Sequence, residues 1–295
     1  MKLTYKLIII FIIILVLITI YLLSCQENYK YNNNITHTSI KKIESKPYLW
    51  QYWEGPMPAY IKLCMETVDK HCSKDFNIQR LNESNIKDYL PELKEYENKI
   101  SKLIIPHKVD IYRIMLLYKY GGIYMDADVI VLRNPREIID KLMSYDFVGF
   151  GCTGVVCKNG YSQPSNWLLA SRQETILMEN ILKALLEKIK KNDKFDYHAL
   201  GKMVIWKELN KLEKSGYKYY HYSNTIDGTR DKYGQWVTSD RIFSNNNIEY
   251  DDEDNMLFLI VYNSDVNDDI KKATRENILN KDCNYTKFIK KSLNL

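Results

Sequence analysis

The stretch from Lys108 to Pro135 reads KVDIYRIMLLYKYGGIYMDADVIVLRNP. Asp126 and Asp128 stand two apart in an apolar, strand-like run. In a strand that spacing puts both carboxylates on one face. Like charges so close repel, and a divalent cation held by both relieves the repulsion. Hard oxygen ligands with no His or Cys nearby favour Mg2+ or Mn2+ over Zn2+. Such ions complete their shells with water and phosphate oxygens, so the expected substrate carries a diphosphate. Asp110 and Arg113 share a helix face at i, i+3 spacing. Arg offers a fixed fork of donors to phosphate. Asp110 could accept from sugar hydroxyls or hold Arg113 in place. A lone D-x-D is mostly a solvated turn, and a lone Asp–Arg pair is mostly surface decoration. The joint pattern D-x-x-R followed by L-x-x-x-G-G-x-Y-x-D-x-D is far more specific. Its apolar flanks make charge there costly without a purpose.

The elements that must position these residues alternate. Pro106 can open a helix that Gly121 closes. Ile123 to Leu132 reads as one strand leaving the Gly-Gly turn. Upstream, Pro47 to Trp53 reads as a strand, Pro58 to His71 as a helix, Phe76 to Leu81 as a strand and Ile86 to Leu90 as a short helix. Downstream, Glu174 to Lys191 is an amphipathic helix. This order predicts an α/β fold with a mostly parallel sheet. In such sheets ligands gather outside the carboxyl ends of the strands.

Composition narrows the classes. The chain has 295 residues, 45% hydrophobic and 27% charged, which excludes collagen-like, coiled-coil and wholly disordered readings. Its 42 basic residues nearly match 37 acidic ones and are scattered, which argues against nucleic-acid binding. Leu7 to Leu23 is apolar except for Thr19. As a helix it spans about 25 Å, close to a bilayer's hydrocarbon core. Lys2 and Lys6 precede it, which predicts a cytoplasmic tail (1–6), a transmembrane signal anchor (7–24), a stem (25–45) and a body (46–295) across the membrane. A cleaved or lipidated signal is the competing reading. Against it, the run is long and no A-x-A-like site follows. Asn34, Asn82 and Asn284 begin glycosylation sequons. Six cysteines permit disulfides. Cys152 and Cys157 are the best-placed pair, with free buried thiols as the default reading. Cys64 and Cys72 lie too far apart on one helix to bridge.

Lys108–Pro135 resembles the D-x-D sugar-transferase region of glycosyltransferase family 32, and especially capsular-polysaccharide-synthesis-type proteins. Leu49-Trp-Gln-Tyr-Trp-Glu54 looks like that family's opening strand, and Ser165-Asn-Trp167 like its mid-chain Asn-Trp element. The likeness covers most of Lys46 to about Ile189. It implies a GT-A-like, Rossmann-like fold, a nucleotide-sugar donor, Mn2+ or Mg2+, retention of anomeric configuration, and a glycan, glycoprotein or glycolipid acceptor. By motif match it implies that Asp128 ligates the metal and that Asp126 touches the donor and the metal's water. It further implies that Asp110 and Arg113 contact donor sugar and phosphate, that Tyr124 lines the donor pocket, and that Gln51 and Trp53 sit near the base. Asn166 is expected near the reacting carbon. The family often completes its site from a C-terminal loop, for which His221, Asp227 and Trp236 are the candidates. His221 is carried as the third metal ligand and Trp236 as a donor contact.

Three alternatives compete. MDADVIV also resembles the strand end of haloacid-dehalogenase phosphatases, with Glu249–Asp254 as a late acidic motif. A glycosidase needs two carboxylates flanking the bond, which neighbours on one strand edge do not do. A non-catalytic sugar-binding relative would keep the fold and lose the metal, yet both aspartates are present.

Overall fold

The computed structural model describes residues 46–152, 163–222 and 226–295. The expected tail, anchor and stem lie outside these residues, as does Cys157 of the expected disulfide. Among the described residues no helix is long and apolar enough to cross a membrane. Lys46–Leu295 forms one compact unit.

A six-stranded sheet organises it. The strands are β1 (Tyr48–Tyr52), β2 (Asn77–Leu81), β3 (Gly122–Met125), β5 (Phe147–Cys152), β6 (Gln163–Ser171) and β7 (Tyr220–Tyr222), in the order β2-β1-β3-β6-β5-β7. β1 pairs in parallel with β2 and β3, and β5 with β7. β6 runs antiparallel to both β3 and β5. The sheet is therefore mostly parallel, as expected, with one reversed strand inside it. Between β3 and β5 lies β4 (Val129–Val131), which pairs antiparallel with β8 (Phe258–Ile260) in a separate two-stranded sheet.

Strand alternation sorts the core. Trp50, Tyr124, Leu169 and Phe147 point to one face. There they meet α2 (Ile105–Tyr120), α3 (Ile176–Lys191) and α4 (Lys202–Glu213). Leu49, Ile123, Ala170 and Val148 point to the other face, toward β4 and β8. Beyond those, α1 (Ala59–Cys72) and α5 (Asn284–Leu293) close the third cluster.

The turn into β3 needs its glycines. Gly121 ends α2 with φ +65°. Gly122 follows at φ +95°, and a Cβ there would collide with the Tyr48 carbonyl oxygen of β1. Two consecutive left-handed positions are readily held only by glycine. The indole of Trp50 donates to the Gly121 carbonyl at 2.9 Å, fixing the turn against β1.

The expected strand from Ile123 to Leu132 is broken. Its first half is β3 and its second is β4, in a different sheet, with Asp126-Ala127-Asp128 as the turn between them. Asp126 N–H still bonds the Trp167 carbonyl at 2.8 Å, the last rung of the large sheet. One residue past the turn, Val129 pairs with Ile260. Both halves are apolar because both are buried, so hydrophobicity could not reveal a change of partners.

One smaller expectation also changes, that of the third sequon. Asn284 of the third sequon is 3% exposed, and its amide nitrogen lies within hydrogen-bond distance of the carbonyls of Arg241, Ser244 and Asn246. It cannot accept a glycan while folded. Cys64, Cys72 and Cys283 are buried free thiols. The acidic run is mostly exposed, and Glu253 and Asp254 pair with Lys291. No late phosphatase motif is assembled from it.

Candidate active site

The site lies where β3 leaves the large sheet. α2 supplies Asp110 and Arg113 from its middle turns. That helix is covered by the sheet on one side and by α3 on another, so nearly every residue from Asp110 to Leu117 is buried. Asp110 and Arg113 are each only 4% exposed. A buried charge needs a partner, and Arg113 finds three neighbours. Its Nη2 lies 3.2 Å from Asp126 Oδ1 and 3.6 Å from Asp110 Oδ1. Its guanidinium carbon stands 4.8 Å from the centre of the Tyr124 ring.

Arg113 is nevertheless under-used. Its Nε and Nη1 are buried with no partner among the described residues, and so is the Tyr124 hydroxyl. A buried unsatisfied donor costs about 1–3 kcal/mol. Three N–H groups on one guanidinium are thus unmet among the described residues.

Asp128 is held differently. It is 8% exposed, and its Oδ2 accepts the Asn263 N–H at 2.7 Å. Its carbonyl accepts the Val261 N–H at 3.0 Å. Burial raises the affinity of Asp128 for its proton, and the Asn263 N–H opposes that. Burial pushes Asp126 up to about 7; Arg113 pulls it down, while Asp128 and Asp110 push it up again. Asp126 keeps 29% of its side chain exposed, and solvent at that opening tempers the rise. Burial also raises Asp110, against Arg113 and Asn166. Arg113 is held charged by its acidic neighbours, against its burial.

Two carboxylates, those of Asp110 and Asp126, thus flank one guanidinium, and Asp128 feels its charge. The excess is negative, and every side-chain donor atom the two D-x-D residues offer is oxygen. That set fits a hard divalent cation that brings water and phosphate oxygens for the rest of its shell. Among the described residues no three His, Cys, Asp or Glu side chains converge as a metal group. His221 therefore does not join the aspartates. It lies on β7, aligned through Gly149 and Leu169 with Tyr124. Three inter-strand steps of about 4.8 Å separate it from that residue. Burial pulls His221 down to about 4, so it is neutral. Strand order, which the sequence does not state, decides the matter.

Other expected residues fall as follows. Asn166 on β6 donates to Asp110 Oδ1 at 2.9 Å. Asp110 thus braces Arg113 and Asn166 from below. Gln51 on β1 is fully buried, and among the described residues both of its amide atoms lack a partner, as does the Trp53 indole nitrogen. Trp236 is 40% exposed, lies over Tyr262 at 5.6 Å and carries the Arg230 guanidinium at 4.6 Å. Asp227 is fully buried; its Oδ1 accepts from the Thr229 backbone and hydroxyl, and its Oδ2 has no partner among the described residues.

Some site residues escaped the sequence. Gly201, the N-cap of α4, packs so tightly that a Cβ would lie 2.5 Å from Asn166 Nδ2 and 2.7 Å from each Asp110 oxygen. Its only signal is a glycine opening a helix. Asn263 is 135 residues from Asp128, and no spacing links them.

Comparison with known proteins gives a family and several distant likenesses. Residues 19–278 match the family model described as capsular polysaccharide synthesis protein. A segment of 48 residues is 42% identical to lactosylceramide 4-alpha-galactosyltransferase of Rattus norvegicus, covering 16% of this chain and 13% of that protein. The PaToxG glycosyltransferase is 18% identical with a TM-score of 0.44, over 64% of this chain and 79% of that one. The glycosyltransferase GlyE of Streptococcus pneumoniae TIGR4 is 12% identical with a TM-score of 0.46, over 85% of this chain and 64% of that one. Likenesses of this size carry no argument about activity.

Proposed function

We infer, from the premise that this chain belongs to the capsular polysaccharide synthesis protein family, that it is a glycosyltransferase using a nucleotide-sugar donor and a divalent cation. The observation that carries the reading is Arg113, buried between Asp110 and Asp126 with Nε and Nη1 unmet. A diphosphate or sugar oxygen supplies the acceptors those groups lack. Asp126 and Asp128 would hold Mn2+ or Mg2+. When bound, that ion would neutralise the diphosphate leaving group as the glycosidic bond breaks.

The chain's own residues do the rest. Arg113 binds the donor's phosphate or sugar oxygens and offsets negative charge at the cleft floor. Tyr124 sets the guanidinium's plane from below and offers its hydroxyl. Asp110 and Asn166 hold Arg113 and each other at fixed distance, a matter of orientation. Asn166 keeps one amide proton beyond its bond to Asp110 for a sugar hydroxyl. Gln51 and Trp53 offer unmet polar groups on β1 and just past its end, fitting a base or ribose.

Retention of configuration, a glycan or glycoconjugate acceptor, and anchorage through Leu7–Leu23 belong to the same proposal. The family resemblance supports the first two, and the apolar run supports the third.

The test is a nucleotide-sugar panel with the full chain. Hydrolysis or transfer is expected with Mn2+ or Mg2+ and lost in EDTA. Asp128→Ala should abolish it while the protein still folds, with a metal-free melting temperature lowered by the loss of the Asn263 bond. The anomer formed, read by proton NMR, tests retention. Full activity in EDTA would overturn the metal role.

A further inference from the structure

The C-terminal strand β8 ends in a corner that the catalytic reading above does not use. Tyr262 has φ +56° and ψ +68°, one of three non-glycine residues at positive φ among those described. A left-handed aromatic residue is held only where its surroundings over-determine it. Here they do. The Ser239 hydroxyl lies 2.8 Å from the Val261 carbonyl and 3.0 Å from the Tyr262 carbonyl. The Tyr60 hydroxyl donates to the Asn263 side-chain oxygen. The Tyr262 ring lies against Trp236. Ser239 itself is 1% exposed. All of these contacts converge on residues 261–263. The same three residues supply the two backbone N–H groups, from Val261 and Asn263, that bind Asp128.

We propose that the left-handed corner at Tyr262–Asn263 is the device that positions Asp128 for its cation, with Ser239 and Tyr60 as the clamps that hold the corner. The turn of the backbone at Tyr262 aims the Asn263 N–H at Asp128 Oδ2. That bond takes up one carboxylate oxygen and so selects the other as the one a metal uses. It also fixes the carboxylate's plane before any ligand arrives, which removes an ordering cost from binding. Tyr262 acts through its backbone in this role, and Tyr60 and Ser239 are positioning residues rather than contacts of the substrate. The proposal rests on the metal-dependent reading of the site.

The backbone claim gives an uncommon test, because glycine should do what a β-branched residue cannot. Mn2+ alone is titrated into the full chain and free Mn2+ is read by electron paramagnetic resonance, with the metal-free melting temperature measured beside it. Tyr262→Gly keeps the left-handed corner at no steric cost and is expected to bind Mn2+ within about threefold of wild type. Tyr262→Val cannot hold it and is expected to bind about tenfold weaker or worse. Ser239→Ala frees both carbonyls and should also weaken Mn2+ binding, with turnover recovered at saturating Mn2+. If Tyr262→Val fails to fold, Ser239→Ala against Tyr262→Gly decides. Equal loss in the glycine and valine variants would overturn the proposal, since the ring and not the backbone would then matter. So would wild-type affinity in Ser239→Ala. Wild-type protein that binds no Mn2+ would overturn the metal-dependent function, and this proposal with it. Metal binding by the wild type that the variants leave untouched would overturn this proposal alone.

Discussion

Arg113 on the helix and Asp126 at the end of β3 meet at 3.2 Å across the boundary between two layers of the fold. The pair ties the helix that carries D-x-x-R to the turn that carries D-x-D. It leaves Nε and Nη1 of the guanidinium without a partner among the described residues.

Arg113→Lys should retain the fold and lose function. A lysine keeps the charge and gives up the planar fork. The donor KM is expected to rise about tenfold or more, with the larger part of the loss in kcat/KM. Arg113→Ala should be worse in a different way. It strands Asp110 and Asp126 and is expected to cost about 3–5 kcal/mol of stability, read as a fall in denaturation midpoint.

Gly201→Ala should damage both stability and turnover. The new methyl would meet the amide of Asn166 and the Asp110 carboxylate. Overpacking of this kind costs about 1–3 kcal/mol. Kinetics and melting of the variant check it.

The metal-free protein should lose stability as pH rises from about 4 to 8 through one component of its pH dependence. Asp126 and Asp227 are both pushed up to about 7 by burial. Their folded affinity for protons exceeds that of the unfolded chain, so this contribution is complete below the ordinary value of 3.8 and vanishes as pH passes the folded value. His221, pulled down to about 4, contributes in the opposite sense, being lost as pH falls from 6.5. The Asp126 part is therefore read by difference. Melting curves of Asp126→Asn and wild type should diverge between pH 4 and 7, and Mn2+ should raise the wild-type midpoint more at pH 8 than at pH 5.5.

No glycan should be found on Asn284 when the chain passes through a secretory pathway. Glycopeptide mapping checks this. Asn284→Ala should lower stability by about 1–3 kcal/mol, since the Asn246 carbonyl loses its donor while those of Arg241 and Ser244 keep others.

Much of the fold was legible because local signals are strong where elements begin and end. Pro106 and Gly121 bracketed α2, and strand–helix alternation pointed to the parallel sheet. Asp110, Arg113, Asp126 and Asn166 were named from pattern and resemblance, and the structure brings them together. What stayed hidden is non-local. The partner change at Asp126–Asp128 leaves an apolar run looking like one strand. That His221 lies three strands from Tyr124 follows only from strand order. Asn263 acts through a backbone N–H, which leaves no mark in residue type, and Gly201 through a missing side chain, whose one mark is the glycine itself.

The switch of sheets within the acidic turn has a mechanical corollary. One aspartate is fastened to the six-stranded slab, and the other to a small ribbon whose second strand comes from the far end of the chain. Their separation is therefore a measure of how those two bodies sit against each other. An ion gripping both would act as a rivet through the seam, and a guest docked on it would stiffen the C-terminal segment far from where it binds.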